Sequence, residues 1–329
     1  MAGCGRRTHN RVLKVAVALV VSPLLALSAA ARAGAEDAEQ PAAEPTAAAL
    51  RFVTFNAGAE LSVRKAMADI SEIMAEKPDV LALQEFASWK KREKVRLRYA
   101  DCGKCVYDAW IPIPAVQGGT PILWRSDKFE LVHKAWTQVT EDTYVGDKGA
   151  GPSTIRAKYI VWVHLREIAT GREIFVLNNH FVPTVQGEDG GSNTNHKRVA
   201  LYEEHMNGLV EMIRGIQARK RMVFVTGDFN VNYRKDRIVQ DPVFPYASLG
   251  ALNVRASYYA LGEPATGTHE LSNGFDLRLI DYVHFWDRKK LVTPQAQRIM
   301  MGLNSDHRPL VVDFKLYGKG CWVSGEPIC

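Results

Sequence analysis

The chain has 329 residues, 47% of them hydrophobic and 24% charged. That composition suits a globular protein with a sizeable core, in one large domain or two smaller ones. The formal charge of +6 does not by itself establish a nucleic-acid partner: Arg6, Arg7, Arg11, Lys14 and Arg32 crowd into residues 1–33 with no acid among them, and the rest of the chain is close to neutral.

Residues 1–33 read as a secretory signal peptide. A basic region precedes a mainly apolar run, Val15 to Leu27, and Ala31-Arg32-Ala33 offers a cleavage site. A membrane anchor is the competing reading, but the run is shorter than the ~20 residues a spanning helix needs. No later apolar stretch is longer, so the mature chain is expected to be secreted or extracytoplasmic, without a transmembrane helix. Cys4 leaves with the signal. Cys102, Cys105, Cys321 and Cys329 remain, and an even number in an exported chain points to disulfides. Local pairs, Cys102–Cys105 and Cys321–Cys329, are the simplest of the possible connectivities. Cys102-x-x-Cys105 also has the form of a redox motif or half a zinc site, but Cys321 and Cys329 are too widely spaced to complete a zinc ribbon.

Residues 34–50 are mostly Ala, Glu and Pro and read as a disordered linker. Residues 51–329 then form one domain with a cysteine-containing tail. "LRFVTFN" is a strand ending at Asn56. Val63, Ala66, Met67, Ile70, Ile73 and Met74 recur at helical spacing, with Ser62 as N-cap and Pro78 as the stop. "DVLALQEF" is a second strand, with Glu85 near its end. "PILWRS" and "FELVHKAW" flank Asp127-Lys128 as a predicted hairpin, and "AKYIVWVHLR" and "REIFVLNNHF" flank Ala169-Thr170-Gly171 as another. A long helix is expected from Asn195 to about Gln217. "RMVFVTGDFN", "LRLIDYVHFW" and "PLVVDFKL" supply the last predicted strands. So many strands with few helices favour two sheets packed face to face with helices outside.

Polar residues recur at the strand ends: Asn56, Glu85, His180, Asp228 with Asn230, and Asp281. Asp306-His307 precedes the last strand. Any one of them is ordinary turn chemistry. Glu and His are not turn formers, however, and the set combines hard oxygen donors with two imidazoles. Glu85, Asp228 and Asp306 placed together would repel unless a cation joined them. Histidines beside them are suited to acid, base or charge-stabilising work near neutral pH.

"TFNAG", "LALQEF", "LNNHF", "TGDFN", "LIDYV" and "NSDHRPL" resemble the successive motifs of the endonuclease/exonuclease/phosphatase, or deoxyribonuclease-I-like, superfamily. The resemblance runs from Arg51 to about Leu316, and Asn178-Asn179-His180 departs mildly from the family's usual Asn-Thr-His. It implies a four-layered α/β sandwich of two mainly antiparallel sheets flanked by helices. It also implies a metal-dependent hydrolase of phosphoric esters using Mg²⁺, with Mn²⁺ or Ca²⁺ as alternatives. Glu85 would be the principal metal ligand, with Asn56 and Asp306 close by. Asp228 would orient or deprotonate the attacking water beside Asn230. His307 would polarise the phosphoryl oxygen, held by Asp281, and His180 would assist at the leaving-group side.

Arg156 is a candidate phosphate contact, with a solvated arginine as the alternative. The basic run "WKKREKVRLR" after Glu85 is either a backbone grip for nucleic acid or a solvated helix face. The expected substrate is a phosphodiester such as nucleic acid, with a phosphomonoester or a phospholipid as alternatives. A non-catalytic binding or toxin-like module on the same fold is the reading from another class. Nothing points to an obligate protein partner, and a monomer is expected.

Overall fold

A computed structural model describes residues 46–113, 119–146, 153–270, 277–288, 291–319, 321–323 and 326–327. The expected signal peptide, most of the expected linker, and Cys329 lie outside these residues.

The chain opens with β1 (Ala47–Asn56), α1 (Val63–Ala75) and β2 (Val80–Gln84), and β1 and β2 run parallel. Ser62 caps α1 by accepting from the Lys65 N–H, and Ala66, Met67, Ile70 and Ile73 are buried. Next come α2 (Trp89–Val95), a π-turn over Arg96–Ala100, and the antiparallel pair β3 (Tyr107–Trp110) and β4 (Ile122–Arg125). β5 (Phe129–Gln138) precedes a small pair, β6 (Thr143–Tyr144) and β7 (Thr154–Ile155). The hairpin of β8 (Tyr159–Glu167) and β9 (Glu173–His180) follows, as its turn sequence predicts. α3 (His196–Ala218), capped by Asn195, leads to β10 (Met222–Asp228), parallel to β9. Three short helices, α4 (Tyr233–Val239), α5 (Pro245–Gly250) and α6 (Ser257–Leu261), accompany β11 (Val254–Ala256). β12 (Asp281–Trp286), β13 (Val292–Ile299) and β14 (Leu310–Tyr317) come next, and the short pair β15 (Trp322–Val323) and β16 (Glu326–Pro327) ends the described chain.

Twelve of these strands form two six-stranded sheets, ordered β13-β14-β1-β2-β4-β3 and β11-β12-β10-β9-β8-β5. Alternation along β1 explains the layering. Phe52 points to the second sheet and stacks on Phe224 at 4.3 Å between ring centroids. Val53 and Phe55 point the other way, into a cluster with Ile70 and Ile73 of α1. Leu209 and Ile213 of α3 join the cluster on the second sheet. The result is helix, sheet, sheet, helix, with each large apolar side chain contributing about 1.5–3 kcal/mol by burial.

Two expectations need correction, and one strand has no counterpart in the sequence reading. "PILWRS" and "FELVHKAW" are not a hairpin: β4 pairs with β2 and β3, whereas β5 pairs with β8 in the other sheet. The Asp127-Lys128 turn carries the chain between sheets. The linker does not extend to Leu50, because Ala47 to Leu50 already pair with β14 through backbone hydrogen bonds that need no side-chain pattern. The edge strand β13, with Pro294 and a register shift between Pro294 and Ala296, is absent from the sequence reading, since proline and alternating polar residues mask a strand there. Cys102 and Cys105 form the expected local disulfide, and Cys321 is also disulfide-bonded.

Candidate active site

The parallel pairs β1–β2 and β9–β10 end at the same edge of the sandwich, where β12 begins. Asn56 pairs with Gln84, and Asp228 pairs with both His180 and Asp281. The strand-end residues therefore meet because of register. Asp281 opens its strand rather than closing it, but β12 is antiparallel to β10, so it arrives at the same edge. Gly227 permits this convergence. Its φ is +143°, and a Cβ there would lie 2.1 Å from the Asn179 carbonyl oxygen.

Below the edge, buried amides bind the two sheets together. Gln84 Nε2 donates to Asn178 Oδ1 at 2.7 Å, and Asn178 Nδ2 donates to Leu83 O at 2.8 Å. Above them, the turn at Asn56–Ala59 is the hub. The Ala59 N–H donates to Glu85 Oε2 at 2.6 Å, and the Gly58 N–H donates to Asn56 Oδ1 at 3.1 Å. Ser305 Oγ donates to Asn56 O at 2.9 Å, which brings the Asp306 turn against the same hub. Glu85 has a left-handed φ of +56°, and Asn230 one of +54°; such outliers belong to turns that aim side chains at a site.

The functional groups form a row. Glu85 Oε1 is 3.8 Å from His180 Nε2, which is 3.6 Å from Asp228 Oδ2, which is 3.7 Å from His307 Nε2. His307 Nδ1 donates to Asp281 Oδ2 at 2.9 Å. Asn56 Nδ2 donates to Asp228 Oδ2 at 3.0 Å, and the Asn230 N–H donates to its Oδ1 at 2.8 Å.

The electrostatics follow from these contacts. Burial alone pushes His307 down, but Asp281 and Asp228 more than offset it and hold the imidazole up at about 10. Burial raises Asp228, with Asp281 adding to it against the pull of His307 and His180. Burial also raises Glu85, yet His180, the Ala59 N–H, Asn56 and His307 together bring it below the usual carboxylate range. His180 is lowered, first by burial and then by Lys158.

Which groups suit a cation follows from the donors. Among the described residues, two acid–imidazole triplets have ligand atoms within 4.8 Å: Asp228–Asp281–His307 and His269–Asp306–His307. The first is already consumed by the Asp281–His307 hydrogen bond. In the second, Arg278 Nη2 donates to His269 Nδ1 at 2.7 Å, which puts the ring proton on Nε2, facing Asp306 Oδ2 at 3.9 Å. His269 is thereby a donor rather than a ligand. The oxygen set around the hub (Glu85, Asn56 and the 63% exposed Asp306) has the hard chemistry that a divalent cation takes.

Several residues of the site escaped the sequence reading. Asp69, buried on α1, accepts from the Asn304 N–H at 3.0 Å and the Ser305 N–H at 3.2 Å, pinning the Asp306-His307 turn. An acid on the apolar face of a helix was the available signal. Lys91 Nζ donates to Gly58 O at 2.8 Å and Ala59 O at 3.0 Å, and Arg92 Nη1 to Pro112 O at 3.0 Å. Both are buried, so part of the basic run is neither a nucleic-acid grip nor a solvated face: Lys91 holds the hub, and Arg92 holds the segment after β3. Arg156 is exposed and paired with Asp142; Lys158 is the cation closer to the carboxylates, and their charge partly offsets the burial that lowers it to about 8. At Asn179, where the family often has Thr, the side-chain Oδ1 lies 3.2 Å from His205 Nε2 below the site.

Two clefts flank the row. One, of about 320 Å³, is lined by Glu85, His180, Lys158 and Tyr159 among others. The other, of about 460 Å³, is lined by Asn230, His269, Arg278, Lys235 and Thr184 among others.

A two-sheet sandwich with this edge is the frame of one class of phosphoesterases, and the chain belongs to it. The model of the Endonuclease/Exonuclease/phosphatase family matches residues 53–307. The chain is accordingly a metal-dependent hydrolase of phosphoric ester bonds. No curated protein matches. Among solved structures, it is similar to an endonuclease/exonuclease/phosphatase family protein from Bacteroides thetaiotaomicron, with TM-score 0.58, 17% identity, and 83% of this chain and 96% of that one covered. The human nocturnin catalytic domain with bound sulfate gives TM-score 0.55 at 18% identity, covering 82% and 97%. D. rerio TDP2 complexed with single-strand DNA product gives 0.56 at 15%, covering 81% and 98%. Among the described residues, no helix is long and apolar enough to cross a membrane.

Proposed function

We propose that this chain is an exported phosphodiesterase of nuclease type that works with Mg²⁺, Mn²⁺ or Ca²⁺ being the alternatives. The carrying observation is the pair of clefts. They share no lining residue and open at opposite ends of the row, one at Glu85–His180 and one at Asn230–His269. A diester has an ester arm on each side of phosphorus, and two arms need two clefts.

The cation would be held by Glu85, with Asn56 and Asp306 at its side. When bound, it neutralises charge growing on the phosphoryl oxygens. His307, held protonated by Asp281, presents Nε2–H to the same phosphoryl group. Asp228 takes the proton of the attacking water. Asn56 and the Asn230 N–H fix its orientation, and its burial makes it a stronger base than a solvated carboxylate. His180, between Glu85 and Asp228, stabilises charge on the departing oxygen. Secretion after cleavage near Ala33, a single domain beginning close to Ala47, and a monomeric state complete the reading.

A substrate panel tests it: plasmid DNA, RNA, bis(p-nitrophenyl) phosphate, p-nitrophenyl phosphate and sphingomyelin, each with Mg²⁺ and with EDTA. Diesters are expected to turn over faster than the monoester, and only with metal. Exclusive hydrolysis of the monoester would overturn the diester reading.

A further inference from the structure

The cleft beside Glu85 and His180 contains more chemistry than one phosphoryl group requires. At about 320 Å³, it reaches the lower limit of roughly 300 Å³ for ligand pockets. Lys158 is its central feature. Lys158 Nζ donates to the Phe181 main-chain carbonyl at 3.3 Å, its one acceptor among the described residues. An ammonium has three donors, so two remain for the cleft it lines. Keeping a largely buried ammonium so sparsely bonded is costly unless a ligand completes it.

Arg156 lines the same cleft two residues earlier. Its pairing with Asp142 at 2.5 Å holds it in place. Tyr159 adds an aromatic ring set edge-to-face against Trp136, with centroids 5.5 Å apart. Cations that track a backbone, next to rings on which bases stack, are the means by which single nucleic-acid strands are held. The scissile phosphoryl group is already addressed by Asp228, His307 and the oxygen set around the hub, of which Glu85 stands at the inner end of this cleft.

We propose that this cleft binds the neighbouring nucleotide of a nucleic-acid strand, with Lys158 and Arg156 on the flanking phosphate and Tyr159 against the base. The inference rests on the phosphodiesterase reading, so its test has one arm that needs no turnover. In EDTA, equilibrium binding of a nucleoside 3′,5′-bisphosphate is compared with that of the 5′-monophosphate. The native protein is expected to prefer the bisphosphate by about tenfold or more, the effect of one charge-assisted hydrogen bond. Lys158→Met should erase the preference, and Lys158→Arg should restore part of it.

A native protein that does not distinguish the two ligands, or an unchanged preference in Lys158→Met, overturns the proposal whatever the protein hydrolyses. If Lys158→Met fails to fold, Arg156→Met on the exposed rim carries the same comparison. The second arm is turnover with Mg²⁺. A dinucleotide with an added terminal phosphate should show a higher kcat/KM than one without, and in Lys158→Met the ratio of the two should fall to about one. Equal losses on all substrates would move Lys158 to the scissile phosphate and sink the subsite. Absence of any diester turnover would sink the phosphodiesterase reading alone.

Discussion

Asp79 precedes β2 and Glu85 follows it, and the two ends of that short strand show two ways of placing charge. At the Asp79 end, every acid has a strong cation. Asp79 meets Lys128 at 2.8 Å, and Arg51 clamps Asp313 through Nε at 2.7 Å and Nη2 at 3.1 Å. The cleft there, about 590 Å³ and larger than the Glu85–His180 cleft, is lined by these satisfied pairs. At the Glu85 end, Glu85, Asp228, Asp281 and Asp306 face amides, the imidazoles of His180, His269 and His307, and Lys158. Volume does not distinguish the ends; charge balance does. Carboxylates whose close partners are mostly imidazoles and amides are completed by a cation and an anionic substrate from outside.

Metal removal should break this contrast most visibly. EDTA is expected to abolish hydrolysis at the Glu85 end and leave the fold at the Asp79 end intact, with activity returning on addition of Mg²⁺. Full activity in EDTA would remove the reason for the unbalanced acids. Asp228→Asn and His307→Ala come next, each lowering kcat by about 10²- to 10⁴-fold, the usual range for an acid–base group, with circular dichroism confirming a folded protein. Wild-type rates in either variant would remove the row from the mechanism.

Asp281→Asn is a finer test because it acts through His307. Asp281 and Asp228 raise that imidazole from 6.5 to about 10. The charged form, and the stability it contributes, is therefore fully present below about 6.5 and is lost as pH rises through about 10. Without the Asp281 carboxylate, the alkaline limb of the pH–rate profile should move to lower pH. A limb that stays in place would show that His307 does not set it. Lys91→Met reaches the site indirectly, by freeing the Gly58 and Ala59 carbonyls. Its expected signature is a weaker apparent metal affinity, by about tenfold, with kcat recovered at saturating Mg²⁺.

The sequence made the row legible because strand ends are marked by composition. Asn56, Glu85, His180, Asp228, Asp281 and His307 each terminate or open an apolar run, and register does the rest, parallel for β1–β2 and β9–β10 and antiparallel for β10–β12. What it concealed are contacts made across sheets. Nothing local shows that Asp127-Lys128 leads into another sheet, since strand periodicity carries no partner identity. Lys91 reads as helix surface until α2 is seen against the Gly58 turn, and Asp69 has no partner in the sequence until α1 is seen against the Asn304 turn. Arg156 was the more conspicuous cation, but Lys158, two residues on, is the one near the carboxylates, and alternation alone does not say which end of a strand reaches an active edge.

The smallest expected effect lies at the Asp79 end, and it gives the contrast its control. Arg51→Met removes a two-point clamp on Asp313 that is about one-third exposed. Such a pair is worth more than a fully exposed one but is still screened, so the loss should be about 1 kcal/mol, a fall of roughly 2–4 °C in Tm for a domain of this size. Because the clamp touches neither the hub nor the row, kcat and metal affinity should stay at their native values. A large fall in kcat without a fall in Tm would mean that the two ends of β2 communicate through the strand. Their charges would then have to be read as one network.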